Sequence, residues 1–421
     1  MIRKLGSFEK AALLTNRHAP FNIVSVLIME NAPSPDAVRQ VFAKLQIRHP
    51  LLHARITKKG RALVFEDREK GEFHFEVVER DDAEQWRTFA EREMAYRYDD
   101  QIGPLFRVVY LYADGRGDLL LNLHHVIADA DSGMNLLDEF LQLSAGAALD
   151  LAPLPVSPPP EDHFPERYKG IRRVLNISQF AIAQMGEMFA YNWQTRKERT
   201  PPVRSGSMGK IAAVILPEDL VNQLARIGRS KGITLNSLLN AAQVLAVNHH
   251  LYASKPLPMR TFSFASLRPY TNPPTSNRDL GSFVSMLVYT IEVLPDDHFW
   301  GLAARLHQKI FRSLKSGDKF SAFLMSESLM KLFIRLKSMR MGTTALNYAG
   351  NVTLEKTYGA IQVLGLHGFI SGIDLAPEFS SQARLFDNQL WWDFIYLDTD
   401  MQAETALAII DEIIRILEQA V

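Results

Sequence analysis

Residues 121–130 read Leu-Asn-Leu-His-His-Val-Ile-Ala-Asp-Ala, an apolar run that ends in two histidines and an aspartate. Leu119 to His125 is apolar at nearly every position, which predicts a buried central strand. The apolar run Leu105 to Ala113 precedes it, and the polar, glycine-containing segment Asp114 to Asp118 separates the two. This spacing predicts a β-hairpin and therefore antiparallel pairing at the centre of a sheet.

The two histidines and Asp129 lie where this buried strand gives way to a helix. Successive side chains of a strand point to opposite faces, so His124 and His125 cannot share one role. We expect Asp131-Ser132 to cap a helix that begins near Gly133. Polar groups at such a buried junction need a hydrogen-bond partner or a function.

Three interpretations of His125 follow from the residues alone. A neutral imidazole held against a hydroxyl or amine can act as a general base. A metal site is disfavoured, because the adjacent strand histidines diverge and no third ligand follows at zinc-like spacing. A hydrogen-bonded core histidine is as plausible as the general base on this evidence.

The remaining apolar periodicity indicates strands and helices in both halves of the chain. Strands are predicted at Asn22–Met29, Arg260–Leu267 and Ser282–Val293, and helices at Pro35–Arg48, Tyr168–Lys197, Pro217–Ser230, Leu235–His250, Asp296–Leu314, Glu327–Arg340 and Glu404–Leu417. The mixture, with a hairpin in it, predicts an α/β (α+β) fold with mixed sheets.

Two breaks divide the chain. Six prolines between Pro153 and Pro165 exclude a continuous helix or central strand. Arg199-Thr200-Pro201-Pro202, followed by Ser205-Gly206-Ser207, predicts a flexible joint. We therefore expect an N-terminal lobe at 1–152, a proline-rich linker with a connecting helix at 153–209, and a C-terminal lobe at 210–421.

Composition excludes several classes of protein. Lys plus Arg and Asp plus Glu both number 47, so no net charge attracts nucleic acid. The chain contains no cysteine, which excludes thiolate metal sites and cysteine nucleophiles. We expect no metal, no nucleic-acid partner, no signal peptide and no transmembrane segment, and hence a soluble, cytoplasmic protein.

The segment His124 to Ala130 resembles the His-His-x-x-x-Asp-Gly signature of the condensation-domain and chloramphenicol-acetyltransferase-like superfamily. Other motifs of that superfamily have counterparts in the same order, and they cover nearly the whole chain. These counterparts are Arg48-His49-Pro50-Leu51-Leu52-His53, Pro104-Leu105-Phe106-Arg107, Ser266-Leu267-Arg268-Pro269, Leu280-Gly281-Ser282-Phe283-Val284-Ser285 and Leu346-Asn347-Tyr348-Ala349-Gly350-Asn351-Val352.

The resemblance implies two similar lobes arranged in a V, with a tunnel between them that admits an acyl thioester and an acceptor. It implies that His125 is the base and that Asp129 is a structural partner held by an arginine. Arg268 is the first candidate for that arginine and Arg55 the second, with His124 as further support.

Two residues depart from the motifs. Ala130 replaces the glycine of the signature, so it must adopt an ordinary backbone conformation or accept modest strain. His53 stands where an arginine is expected, which could shift the buried ion-pair network.

The resemblance predicts an acyltransferase that moves an acyl group from a coenzyme A or carrier-protein thioester to a hydroxyl or amine, without an acyl-enzyme. The acyl thioester is a co-substrate, and no cofactor is expected. Ser285 and Asn347 are candidate oxyanion donors, and Lys331 and Arg335 are candidate contacts for the phosphates of coenzyme A or of a carrier protein. The alternatives are an amide-forming condensation enzyme and a non-catalytic carrier-binding module.

Two further features have ordinary structural interpretations. Lys331, Arg335, Lys337 and Arg340 form a basic stripe that is more often a solvated helix face. The connecting helix carries Ile171, Val174, Leu175, Ile177, Phe180, Met185 and Phe189, for which core packing is expected ahead of an acyl channel or a membrane contact. We expect a monomer that uses a small-molecule or lipid acceptor, and an acyl carrier protein is a candidate partner.

Overall fold

The computed structural model describes residues 3–68, 72–198, 207–294, 297–336, 339–371 and 374–421. The strands are β1 (Arg3–Lys4), β2 (Asn22–Glu30), β3 (Ala54–Lys59), β4 (Ala62–Asp67), β5 (His74–Glu79), β6 (Phe106–Ala113), β7 (Arg116–His124), β8 (Gly209–Leu216), β9 (Pro258–Ser266), β10 (Val284–Glu292), β11 (Thr344–Asn351), β12 (Thr357–Tyr358), β13 (Ile361–Ile370), β14 (Phe379–Phe386) and β15 (Gln389–Leu397). The helices are α1 (Ser7–His18), α2 (Pro35–Arg48), α3 (Trp86–Met94), α4 (Ala130–Ser144), α5 (Gly170–Thr195), α6 (Glu218–Ser230), α7 (Leu235–Tyr252), α8 (Phe299–Ser316), α9 (Asp318–Arg335) and α10 (Ala403–Glu418).

The chain forms two compact units that interleave in sequence. The first unit comprises Met1–Pro165, Leu267–Phe283 and Asn351–Ser371, and the second comprises Glu166–Ser266, Val284–Gly350 and Gly372–Val421. The linear division expected from the sequence places the two later segments of the first unit in the C-terminal lobe. They belong to the first unit because β13 pairs with β2 and because Arg268 and Phe283 contact Asp129.

The first unit is built on a six-stranded sheet in the order β12-β13-β2-β7-β6-β5. β7 lies between β2 and β6 and pairs antiparallel with both, whereas β5 and β6 are parallel. The hairpin between β6 and β7 is tighter than expected, since Arg116 already pairs with Ala113. Asp114 and Gly115 both have positive φ, 48° and 76°, as a two-residue turn of type I′ requires.

The second unit contains a second mixed six-stranded sheet, in the order β10-β9-β11-β14-β15-β8. β9 pairs antiparallel with β10 and parallel with β11. Buried side chains of α7, α8 and α10 pack with this sheet into one hydrophobic core. The mixed α/β class predicted from the sequence is confirmed in both units.

Several helix boundaries agree with the sequence pattern and two do not. α2 spans the predicted residues, with the Ser34 hydroxyl accepting from the Ala37 N–H at its start. α4 begins at Ala130 and not near Gly133, because Asp129 is its N-cap. α9 ends at Arg335, so the predicted continuation of this helix to Arg340 is wrong.

Some predicted features fall outside the described residues. The proposed joint from Arg199 to Ser207 lies outside them apart from Ser207, and so do Lys337 and Asp296. Among the described residues, no helix combines the length and apolarity needed to cross a bilayer.

Candidate active site

The candidate site is the turn between β7 and α4, in the first unit. At the end of β7, the His124 N–H donates to the Leu105 carbonyl at 2.9 Å. His125 is the first residue beyond the strand, and its N–H donates to the Phe21 carbonyl at 3.1 Å. The backbone then turns, with the Ile127 N–H bonded to the His124 carbonyl at 3.0 Å. The sheet therefore fixes the backbone of His125 although His125 itself is not in the strand.

The imidazole of His125 is held in one tautomer. Its Nδ1 lies 2.8 Å from the carbonyl oxygen of Ala128. A carbonyl oxygen only accepts, so Nδ1 carries the hydrogen and Nε2 of the neutral ring carries a lone pair. No described residue forms a hydrogen bond with Nε2.

Two phenylalanines fix the plane of this ring. Phe21 stacks on His125 with ring centroids 4.7 Å apart, and Phe8 of α1 meets it edge-on at 5.3 Å. His125 keeps 4% of its surface exposed, whereas His124 keeps none. The sequence motifs did not point to either phenylalanine, because these contacts join separate segments.

Burial lowers the pKa of His125 below its ordinary value, and this effect exceeds the opposing influence of the Ala128 carbonyl and the Asp129 charge. The ring is therefore neutral at pH 7. A neutral, oriented imidazole with an unshared lone pair can accept a proton from a hydroxyl or an amine.

His124 has a different environment. Its Nδ1 accepts a hydrogen bond from the Val126 N–H at 3.0 Å, which places its own hydrogen on Nε2. Complete burial, with a smaller contribution from His125, lowers the pKa of His124 to about 3. His124 is thus a permanently neutral group that shapes the turn.

The carboxylate of Asp129 accepts hydrogen bonds at both oxygens, and none of them comes from His125. Its Oδ1 accepts from the N–H and hydroxyl of Ser132, at 2.9 and 2.8 Å, and from Arg268 Nη2 at 2.9 Å. Its Oδ2 accepts from the Phe283 N–H at 2.8 Å. Burial raises the pKa of Asp129, but the Arg268 charge and these hydrogen bonds outweigh it and hold the pKa below its usual value. The carboxylate therefore stays charged and anchors the start of α4.

The guanidinium of Arg268 is buried within the first unit. Besides Asp129, it donates through Nη1 to the carbonyls of Ser276 and Asp279, at 2.8 and 3.0 Å. It also lies 4.5 Å over the ring of Phe283. The second candidate arginine, Arg55, instead pairs across β3 and β4 with Glu66 at 2.9 Å, because these two residues are register partners.

Ser282 is a site residue that sequence reasoning missed. Its hydroxyl lies 2.6 Å from the carbonyl oxygen of His125 and 2.9 Å from that of Ala128. It therefore connects the two ends of the turn that orients the imidazole. Ser282 belongs to the motif counterpart Leu280 to Ser285, but the motif itself does not indicate that the hydroxyl contacts a residue 157 positions away, His125.

The departure at Ala130 leaves this geometry intact, and the departure at His53 places its Nδ1 2.9 Å from Asp67 Oδ1 on β4. Ala130 is the first residue of α4 and is not among the residues with positive φ, so the strain that its replacement of glycine could have imposed is absent. Nearby, Arg48 Nε and His49 Nε2 contact the buried carboxylate of Glu139 on α4, at 3.2 and 2.7 Å. These contacts fasten α2 to α4.

The other predicted site residues lie in the second unit. Ser285 donates its hydroxyl hydrogen to the Lys319 carbonyl at 2.5 Å, and Asn347 Nδ2 donates to Gln382 at 2.8 Å. Lys331 pairs with Glu327 at 2.6 Å, and Arg335 is exposed at the end of α9.

The basic stripe predicted on this helix does not form as expected. α9 ends before Arg340, whose guanidinium is buried and pairs with Asp400 at 2.7 Å. Among the described residues, no cluster of three or more His, Asp or Glu side chains is suited to hold a metal ion.

Comparison with known proteins identifies the family that this chain matches. The family model of the condensation domain matches residues 11–319. A phthiocerol/phthiodiolone dimycocerosyl transferase of Mycobacterium ulcerans is 23% identical over 236 residues, which cover 55% of this chain and 56% of that enzyme. The chain thus spans about half the length of the curated relatives it matches.

Two solved structures share the fold over the whole chain. Polyketide synthase associated protein 5 from Mycobacterium tuberculosis superposes with a TM-score of 0.71 at 17% identity, covering 100% of this chain and 99% of that one. A trichothecene 15-O-acetyltransferase from Fusarium sporotrichioides gives a TM-score of 0.76 at 13% identity, covering 99% and 94%. At these identities the likeness concerns the fold.

Proposed function

Because the chain belongs to the condensation-domain family, we propose that it transfers an acyl group from a thioester to a hydroxyl or amine acceptor, with His125 as general base. The observation that carries this proposal is the bond from His125 Nδ1 to the Ala128 carbonyl. That bond leaves Nε2 as the atom able to take the proton. Acyl transfer needs such a base because a neutral alcohol is a weak nucleophile.

The proposed reaction balances without a covalent enzyme intermediate. His125 Nε2 accepts the proton of the acceptor O–H or N–H while the acceptor atom bonds to the thioester carbonyl carbon. The carbon–sulfur bond then breaks, and the departing thiolate takes the proton from the imidazolium. The products are an ester or amide and a free thiol, and His125 returns to its neutral form.

Of the two kinds of acceptor, a hydroxyl is favoured by the names of the similar proteins. One is a dimycocerosyl transferase and another a 15-O-acetyltransferase, which transfers to oxygen. Amide formation is the second candidate, since the matching family model is that of the condensation domain. The two differ in acceptor and share the same base.

The remaining predicted residues have supporting roles in this proposal. Arg335 is the better candidate for a phosphate contact, because the ammonium of Lys331 is already engaged by Glu327. Asn347 is the better oxyanion donor, because one hydrogen of its amide remains beyond the bond to Gln382, whereas the hydroxyl hydrogen of Ser285 is committed. Both assignments are subordinate to that of His125.

The direct test is a product screen. Purified protein is incubated with acyl-coenzyme A and acyl-phosphopantetheinyl carrier thioesters of increasing chain length, each with a panel of alcohols and amines. Mass spectrometry identifies the ester or amide, and thiol release gives the rate. We expect product from the wild type and a rate lower by about 10²–10⁴-fold for His125→Ala.

His250→Ala is the matched control, because His250 is an exposed histidine of α7 in the second unit. It should transfer at the wild-type rate. Equal rates for wild type and His125→Ala would contradict the assignment, and thiol release with no ester or amide in any pairing would show a hydrolase instead.

A further inference from the structure

The helix α5 carries apolar residues on two adjacent sides, one that packs inward and one that is exposed. Its inward side packs within the second unit, where Met188, Tyr191, Asn192 and Thr195 are buried. Its outward side carries large apolar side chains that are between 48% and 80% exposed, namely Ile171, Val174, Leu175, Ile182, Phe189 and Trp193. Core packing was expected for seven residues of this helix, and it is wrong for four of them, namely Ile171, Val174, Leu175 and Phe189.

The exposed apolar side chains lie along one side of the helix, with Ser178 between Leu175 and Ile182, and we call this surface the α5 stripe. At 100° per residue these six positions fall within an arc of about 100° on the helix surface. From Ile171 to Trp193 the stripe extends about 33 Å at 1.5 Å per residue. An exposed apolar patch of more than about 300 Å² on one face marks an interaction site far more often than isolated exposed residues do.

Inward polar contacts prevent α5 from rolling to bury this stripe. Tyr191 Oη lies 2.9 Å from Thr343 Oγ1, and Asn192 Nδ2 donates to the Arg340 carbonyl at 3.2 Å. About two turns earlier, Arg260 donates to Gln184 at 2.8 Å. Rotation of the helix would break all three bonds, so the stripe is held outward.

The charges at the two ends of α5 have the same sign. Arg172 and Arg173 lie in its first turn, and Arg196 and Lys197 follow its last. The Arg196 guanidinium lies 3.7 Å over the ring of Trp193, the last apolar residue of the stripe. Glu187 is the one acidic residue between these basic ends, and it pairs with Arg260.

We propose that the α5 stripe docks on the surface of a lipid bilayer that contains anionic headgroups. The apolar side chains would enter the headgroup and acyl boundary while the basic ends contact lipid phosphates. Trp193 is suited to this depth, where amphipathic aromatic rings concentrate, and Phe189 adds to the apolar face.

Charge disfavours a second copy of the chain as the occupant. Antiparallel pairing of two α5 helices would set Arg172 and Arg173 against Arg196 and Lys197, and parallel pairing would set each pair against itself. Either arrangement brings like charges together, which destabilises an association. An anionic surface is complementary to both ends at once.

The test is flotation of the full chain with vesicles of phosphatidylcholine, with and without phosphatidylglycerol. We expect binding to the anionic vesicles and weaker binding to the neutral ones. Ile182→Glu and Leu175→Glu should each weaken partitioning by about 10- to 100-fold, since each replaces an aliphatic side chain that would be buried in the bilayer. Replacing Arg172 and Arg196 by Gln should weaken it about fivefold each on anionic vesicles only.

Leu407→Glu on α10 is the matched control, because Leu407 is 53% exposed and lies off the stripe. It should bind vesicles like the wild type. Absence of wild-type binding to anionic vesicles, or equal binding by the stripe variants, would overturn the proposal. So would a dimer in analytical ultracentrifugation that Ile182→Glu dissociates, because the stripe would then be a protein interface.

The docking proposal is independent of acyl transfer. With short, water-soluble substrates, Ile182→Glu should retain the wild-type rate while it loses vesicle binding. A protein that binds vesicles and transfers no acyl group would refute the proposed function alone.

Discussion

Replacing Arg268 by Met is the perturbation whose effect can be worked most fully from the structure. Arg268 is 1% exposed, and its guanidinium contacts Asp129 and two backbone carbonyls. Methionine fills much of the same volume without a charge, so the Asp129 carboxylate is left buried without its cation. Breaking a buried pair in this way costs about 3–5 kcal/mol.

The loss should depend on pH in a defined direction. In the wild type the pKa of Asp129 lies below its ordinary value, so its stabilising contribution is present above about pH 3.9 and is lost as the pH falls through the folded-state pKa. In Arg268→Met, burial without the cation raises that pKa. Asp129 then takes up a proton more readily, and the deficit relative to wild type shrinks as the pH falls.

Hydrogen exchange of α4 measured by mass spectrometry reports this change locally. A deficit of 3–5 kcal/mol corresponds to exchange faster by between about 10²- and 10⁴-fold. Arg55→Met is the control, because loss of the partly exposed Arg55–Glu66 pair should leave the exchange of α4 unchanged. Equal protection of α4 in wild type and Arg268→Met would refute the view that this pair anchors the turn.

Three further substitutions probe the same turn. His124→Asn, which keeps an acceptor for the Val126 N–H, should make the protein less acid-sensitive than the wild type. Because the folded-state pKa of His124 is about 3, only the unfolded chain takes up a proton there between about pH 7.5 and pH 5, and this costs the wild type about 2 kcal/mol of stability. Urea unfolding at both pH values measures the difference. Ser282→Ala should lower stability by about 1–3 kcal/mol, because the buried His125 carbonyl loses its hydroxyl donor while the Ala128 carbonyl keeps His125 Nδ1. It should also reduce kcat more than KM, whereas Ser282→Thr, which keeps the hydroxyl, should preserve both. Ala130→Gly, which restores the residue of the family signature, should not raise the transfer rate and should reduce the melting temperature slightly, since Ala130 is already helical and glycine disfavours a helix by at most about 1 kcal/mol. A faster Ala130→Gly enzyme would show that the alanine restrains the site.

Local patterns in the sequence predicted the elements around the site well. The two-residue turn at Asp114-Gly115 and the apolar strands on either side fix the hairpin, and helical periodicity fixes α2. Position in the motif pointed to His125, and the second-half motif pointed to Arg268, which lies 2.9 Å from Asp129. These features depend on short-range chemistry or on a recognisable motif.

Features that depend on contacts between distant segments could not be predicted. Nothing local to Phe8, Phe21 or Ser282 indicates that they surround one imidazole, because chain topology alone brings them together. The start of α4 was misplaced since Asp129 serves both as helix cap and as partner of Arg268.

For α5, hydrophobic periodicity predicts the helix but not which of its sides is buried. Its pattern predicts a helix correctly, but a helix that is apolar on two sides gives no indication of which side is buried. The polar contacts of Tyr191 and Asn192 decide the orientation, and their partners lie about 150 residues away.

The central claim is that His125 is the proton acceptor, and the pH profile of kcat/KM tests it most directly. Since burial holds the pKa of His125 below its usual value of about 6.5, the wild-type profile should stay level through neutral pH and fall only below about pH 6.5. His125→Ala should lie about 10²–10⁴-fold lower and should lack this acid limb. An acid limb that persists unchanged in His125→Ala, at a rate near that of the wild type, would contradict the claim.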